Sequence, residues 1–156
     1  MDYQQVAQAG RIIHLPERCT GCGACEVSCS LAHEGSCHPG LSRIYLINDS
    51  FNGNHTIEVC AQCFSPGCYF ACPTGAMNID SRTGARYIDN EKCIGCGRCV
   101  AVCPLMPEKQ VIRFKSEKEK KLFFKCDLCK DRVEGPICVQ NCPALALVYS
   151  KAGDKQ

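Results

Sequence analysis

The sequence predicts an α+β fold of short hairpins and short helices, arranged in modules whose interior is not filled by side chains alone. Three observations predict it. Cysteine makes up 17 of the 156 residues, about 11 %, which is a scaffold-level share. The hydrophobic fraction is 46 %, yet aromatics are only 7 % and Trp is absent; without the cysteines roughly a third of the chain is apolar, thin material for one core. Sixteen of the cysteines fall into four quartets, and a repeat of this kind sets the architecture before secondary structure does.

The quartets are Cys19, Cys22, Cys25, Cys29; Cys60, Cys63, Cys68, Cys72; Cys93, Cys96, Cys99, Cys103; and Cys126, Cys129, Cys138, Cys142. The first and third follow C-x2-C-x2-C-x3-C. The second widens its middle gap with Phe64-Ser65-Pro66-Gly67, and the fourth widens it from Lys130 to Ile137. All four keep the opening C-x2-C and the closing C-x3-C.

Between quartets the chain reads as strands and turns. Strands are expected at residues 11–14, 43–48, 56–59, 111–115, 122–125 and 144–149. Residues 76–80 and 86–89, around Ser81-Arg82-Thr83-Gly84, carry a hairpin signature. Each C-x3-C end predicts one helical turn, stopped by Pro73, Pro104 or Pro143. Cys29 is followed by Ser30 instead, so the first helix is expected to run on to Gly35.

Charge and hydropathy exclude several classes. No apolar run approaches the roughly 20 residues of a membrane span, and residues 1–11 hold no apolar stretch resembling a secretion signal. A reducing, cytoplasmic setting is therefore expected, with no direct membrane insertion, and disulfides are not. The formal charge of +2 becomes about −6 once sixteen ligand thiolates and four oxidised cubane cores of about +2 each are counted. A basic nucleic-acid footprint is absent.

The spacing points to iron–sulfur chemistry. Cysteines at i, i+3 and i+6 let one tight loop wrap three corners of a cubane, while the fourth cysteine starts a helix and serves another cluster. Gly21, Gly23, Gly95 and Gly97 lie between ligands and allow positive φ, so that backbone N–H groups reach the sulfurs and tune the potential. Zinc is the competing reading. Zinc knuckles use two well-separated C-x2-C pairs, which suits the fourth quartet alone but leaves the third cysteine of the first and third quartets without a use.

Residues 60–103 resemble a bacterial two-cluster ferredoxin, through Cys72-Pro73-Thr74-Gly75-Ala76, Tyr87-Ile88-Asp89, Cys93-Ile94-Gly95-Cys96-Gly97-Arg98-Cys99 and Cys103-Pro104. Over about residues 11–150 the four-quartet order, with its wide fourth gap, resembles the four-cluster ferredoxin-like electron-transfer subunits of molybdenum and tungsten oxidoreductases. The small polyferredoxin of tungsten aldehyde oxidoreductase complexes is the nearest in kind. The chain departs from anchored relatives in lacking long insertions and a C-terminal membrane helix, and in lacking Pro after Cys29.

The swap of the fourth cysteine assigns Cys60, Cys63, Cys68 and Cys103 to one cluster, and Cys93, Cys96, Cys99 and Cys72 to its neighbour. By elimination the outer quartets pair, giving Cys19, Cys22, Cys25 with Cys142, and Cys126, Cys129, Cys138 with Cys29. The resemblance implies the same nesting; pairing in sequence order, first with second and third with fourth, is the open alternative. The nested reading divides the chain into an outer ferredoxin-like module (residues 11–55 and 105–150), an inner one (residues 56–104) and tails (1–10 and 151–156), held by four [4Fe-4S] clusters.

Cys37 is read as a free loop thiol, and His14, His33, His38 and His55 as strand or loop residues without ligand spacing. Glu117 to Lys121 is read as a solvated charge run. No phosphate loop, Ser–His–Asp set or carboxylate pair suggests catalysis, so no catalytic residue is assigned. The function expected is electron relay between a catalytic molybdenum- or tungsten-type subunit and a flavin/NAD-reducing subunit or a ferredoxin, with stacking of copies into a longer wire as a further expectation. A zinc-loaded adaptor module is the alternative from another class.

Overall fold

The computed structural model describes residues 7–153; the parts of the expected tails at 1–6 and 154–156 lie outside the described residues. Among the described residues eight strands form four separate antiparallel ribbons of two strands each. β1 (Arg11–His14) pairs with β8 (Leu147–Ser150), so the two ends of the fold meet, with Ile12 opposite Tyr149. β2 (Ile44–Asp49) pairs with β3 (Asn54–Val59), β4 (Met77–Ile79) with β5 (Arg86–Ile88), and β6 (Ile112–Glu117) with β7 (Lys120–Lys125). A two-stranded ribbon is marginal alone in water, so each must lean on something else.

The expected hairpin at 76–89 forms, and its turn is tied by Asp80, whose Oδ1 accepts the Thr83 N–H at 2.8 Å and the Arg82 N–H at 3.1 Å. The charge run at 117–121 is exposed throughout, as expected of a solvated face, and it also carries a turn. Glu117 and Lys120 are register partners, and Lys118 and Glu119 (φ 48° and 66°) make the two-residue turn joining β6 to β7. Left-handed pairs are the turns that match strand twist, and here they occur without Gly or Asn. The expected module boundary at 55/56 falls within β3.

Helix α1 (Ala24–Glu34) starts after Gly23 and ends at Gly35, which sits at φ 69° and donates its N–H to the Leu31 carbonyl at 3.0 Å. Its buried residues, Cys25, Glu26, Cys29 and Ser30, form one face by helical period. His33 therefore lies in a helix, not in a strand or loop. The other helices are single turns: α2 (Gly67–Phe70), α3 (Arg98–Ala101) and α4 (Ile137–Gln140). Helix α1 packs on α4, and α2 on α3.

The core is two clusters. One joins Ile12, Ile44, Ala85, Leu128 and Leu147 with Cys25, Cys29, Cys126 and Cys138. The other joins Ala76, Val111, Ile112 and Phe123 with Cys93, and Cys72, Cys99 and Cys103 pack against it. Each ribbon therefore leans on cysteine-bearing loops. Among the described residues no helix is long and apolar enough to cross a membrane.

One contact fixes the third loop on β7. A Cβ on Gly95, at φ +73°, would stand 2.6 Å from the Lys121 carbonyl oxygen, whereas on Gly97, at φ +74°, it would meet only the Phe123 ring at 3.8 Å. Gly97→Ala should cost about 1–2 kcal/mol for the left-handed backbone, and Gly95→Ala distinctly more. Thermal unfolding of the metal-loaded protein checks this, and equal losses in the two variants would contradict the packing described.

Candidate metal centres

All four cysteine loops share one backbone device. The residue just before the second cysteine is left-handed in each: Gly21 (φ 67°), Gln62 (φ 52°), Gly95 (φ 73°) and Leu128 (φ 57°). Glycine carries it at no steric cost in two loops; Gln62 and Leu128 carry it against their Cβ atoms. Glycine spacing points to the first pair, and nothing local points to the second. Both exceptions are buried, at 5 % and 3 % exposure, so tertiary contacts hold them. The third cysteine of each quartet lies in the first turns of a helix, and Cys72, Cys103 and Cys142 follow just after the single-turn helices.

The structure brings cysteines from different quartets together. Cys19, Cys22, Cys25 and Cys142 line one small cavity, walled by Leu46, Ile57 and Leu147. Cys72, Cys93, Cys96 and Cys99 line another, walled by Ala76, Ile88 and Phe123. Cys63 and Cys68 feel the charges of Cys60 and Cys103. Cys138 feels Cys29 and Cys129, Cys129 feels Cys29, and Cys126 feels Cys138. Charge is also felt across these groups: Cys138 feels Cys25, Cys126 feels Cys60, and Cys99 feels Cys68. Cys37 is exposed.

Burial works against thiolates here. It pushes the Cys25 thiol up to about 12, and those of Cys68, Cys99 and Cys129 up to about 11. Burial raises Cys126 and Cys138 as well, each helped by neighbouring cysteine charge. A bound cationic metal core removes that penalty, because ligand thiols are deprotonated by the metal they bind. At Cys72 burial is outweighed by the Met77 N–H and the Thr74 hydroxyl, and the net shift is downward. N–H groups also reach Cys29 from Arg43 (3.3 Å), Cys72 from Met77 (3.4 Å), Cys126 from Leu128 (3.5 Å) and Cys142 from Ala146 (3.2 Å). All-sulfur sets backed by backbone donors fit iron–sulfur clusters.

Two groups of polar residues around the sulfurs are invisible in the spacing pattern. Asp127, between Cys126 and Cys129, accepts the Cys129 N–H at 3.0 Å and pairs with Arg43 at 2.8 Å. His33 Nε2 lies 3.5 Å from both Asp127 Oδ1 and Cys129 Sγ, and Lys115 pairs with Glu34 nearby. The second group is Gln62, Arg86 and Lys125, all buried. Gln62 donates to the Cys126 carbonyl at 2.7 Å and accepts the Arg86 N–H at 2.7 Å. Lys125 donates to the carbonyls of Arg86 and Cys126. It thereby ties the strand before the fourth quartet to β5.

Comparison with known proteins adds a family. Residues 52–152 match the 4Fe-4S dicluster domain, and residues 16–32 match the 4Fe-4S binding domain. The chain is 40 % identical over 139 residues to the polyferredoxin-like subunit of an aliphatic sulfonate oxidoreductase from Pyrococcus furiosus, covering 89 % of this chain and 75 % of that one. It is 35 % identical over 153 residues to the electron transport protein HydN of Escherichia coli, covering 88 % and 85 %. Among solved structures, it aligns at 25 % identity and a TM-score of 0.52 with a chain of the active site complex BamBC of benzoyl coenzyme A reductase, covering 91 % of this chain and 79 % of that chain.

The Asp127 knot has a measurable consequence. Removing the carboxylate leaves Arg43 mostly buried, with Glu34 at 3.9 Å as its one remaining ion-pair partner among the described residues. Asp127→Ala should therefore destabilise the metal-loaded protein by about 3 kcal/mol. The double replacement Arg43→Met with Asp127→Leu should recover part of the loss. Thermal unfolding reads both, and a single-variant loss below about 1 kcal/mol would place the pair among weak surface ion pairs.

Proposed function

We propose, from the premise that this chain belongs to the 4Fe-4S dicluster domain family, that it is the electron-transfer subunit of an oxidoreductase complex and holds four [4Fe-4S] clusters. One cluster takes Cys19, Cys22, Cys25 and Cys142, and a second takes Cys126, Cys129, Cys138 and Cys29. A third takes Cys60, Cys63, Cys68 and Cys103, and the fourth takes Cys93, Cys96, Cys99 and Cys72. The observation that carries this is the meeting of three cysteines of one quartet with the last cysteine of another, four times over. The pairing of β1 with β8 around the rest of the chain supports an outer and an inner module.

Each cluster, when bound, supplies one-electron redox chemistry without bond rearrangement. The residues of the chain do the remaining work. Sixteen sulfurs fix the clusters, the N–H groups of Arg43, Met77, Leu128 and Ala146 stabilise negative charge on them, and Leu147 and Phe123 shield them from water. The influence of Cys25 on Cys138, of Cys60 on Cys126 and of Cys68 on Cys99 suggests one linear order: the Cys19 site, the Cys126 site, the Cys60 site, the Cys93 site. The two end sites each hold an exposed cysteine, Cys22 and Cys96, and the two middle sites hold none. That exposure suits the ends to meet redox partners.

The partners proposed are a catalytic molybdenum- or tungsten-type oxidoreductase subunit at one end and a flavin/NAD-reducing subunit or a ferredoxin at the other. The relatives support a catalytic oxidoreductase partner, one being named as a subunit of an aliphatic sulfonate oxidoreductase and another as an electron transport protein.

Oxygen-free preparation should yield about 16 iron and 16 sulfide per chain, brown and bleached by a low-potential reductant. A zinc adaptor would give about four zinc and no colour. Cys37→Ser should leave the iron content unchanged. Cys142→Ser should alter the same paramagnetic signal as Cys22→Ser; if it alters instead only the signal changed by Cys126→Ser, the swapped ligation is wrong.

A further inference from the structure

The basic residues around the sulfurs differ in one respect. Arg43 and Lys115 are matched by Asp127 and Glu34, so their charges are balanced locally. Arg86 and Lys125 are more deeply buried, at 1 % and 2 % exposure. Neither forms an ion pair with a carboxylate among the described residues.

Their partners are backbone carbonyls. Arg86 donates to Ala7 (3.0 Å), Gly84 (2.5 Å) and Phe64 (3.4 Å), and its Nε has no acceptor among the described residues. Lys125 donates to Cys126 (2.9 Å) and to Arg86. A buried cation without a counter-charge is costly, and carbonyl dipoles meet only part of that cost. The negative groups facing these cations are sulfurs. Arg86 feels Cys63, Cys60 and Cys68, and Cys68 feels Lys125. All belong to one of the four proposed ligand sets.

We propose that Arg86 and Lys125 are built-in counter-charges for the cluster of Cys60, Cys63, Cys68 and Cys103, and that they make it the most readily reduced of the four. The proposal rests on the ligand sets given under the proposed function. Four thiolates on an oxidised core carry about −2, and uptake of one electron from a reductant takes this to about −3 with no bond made or broken. Two fixed cations stabilise the more negative state more, which raises the potential. At the other middle site Arg43 is matched by Asp127 and Lys115 by Glu34, and Lys125 meets only the main-chain carbonyl of Cys126. Arg86 and Lys125 are the only buried cations among the described residues, and the buried ionisable residue at the Cys19 site is Glu26, whose carboxyl accepts the Leu46 N–H at 3.0 Å.

The test is a redox titration of the anaerobic holoprotein followed by electron paramagnetic resonance. In the wild-type protein one centre should be reduced ahead of the rest, and Cys63→Ser should alter that centre's signal. In Lys125→Gln, which keeps an N–H donor and loses the charge, the reduced-to-oxidised ratio of that centre at a fixed potential should fall at least tenfold, a 59 mV shift for one electron. The other centres should move less than about threefold, and Lys125→Arg should restore the wild-type value. An iron-complete Lys125→Gln protein with an unshifted first centre, or with all centres shifted alike, overturns the proposal. Should that variant lose its iron, the Cys63→Ser titration decides alone: a first-reduced signal that survives unchanged overturns the proposal. A wild-type protein without iron and sulfide overturns the ligand sets themselves.

Discussion

The structure depends on how buried sulfur charge is compensated. Six of the buried apolar residues among those described are cysteines, namely Cys25, Cys29, Cys93, Cys126, Cys129 and Cys138. As thiols they are small hydrophobes; as metal ligands they are anions in a dry interior. Burial alone drives them toward the neutral form, which is why Cys25 stands near 12. On the proposed ligand sets, a polycationic iron core would reverse that preference and link segments far apart in sequence, which would couple metal uptake to folding. Four separate ribbons and three single-turn helices could not hold this shape by their own pairing.

This explains why the loops are conformationally alike while their sequences are not. A tight turn before the second sulfur is required at every site, and the left-handed residue supplies it. Gly21 and Gly95 meet the requirement freely. Gln62 meets it at a steric cost but uses its amide to join Cys126 to Arg86, so one residue shapes the loop of one site and fastens it to the next. Leu128 meets it while filling the core between Cys25 and Cys138. Where glycine is replaced, the side chain is used.

The sequence made legible whatever is local. The quartets, the hairpin between Met77 and Ile88, and the run of α1 to Gly35 follow from spacing, turn residues and a terminal glycine. The partner of β2 is not written in either strand, because Asn54 and His55 are poor strand formers and enter only through register with Asp49 and Asn48. The turn at Lys118 and Glu119 lacks the usual Asn or Gly, so an exposed charge run gives no sign of the hairpin it closes. His33 reads as unremarkable until α1 places it against Cys129. Arg86 and Lys125 sit in strands whose other residues look ordinary, and their burial appears only when β5 and β7 are brought together.

Lys125 shows why such residues escape pattern reading. It directly precedes Cys126, and its main chain leads into the sulfurs of one site. Its side chain turns to β5 and faces the sulfurs of another. The sites of Cys126 and Cys60 are thus joined by a single residue step as well as by the Gln62 bridge. A change of charge at either site is felt through the same buried amides and carbonyls, where low dielectric keeps electrostatics strong. The link between these two sites therefore rests on side chains whose identities no cysteine spacing dictates. On the proposed ligand sets, sixteen cysteines would hold the metal, and the few buried polar residues between them would make the sites unequal.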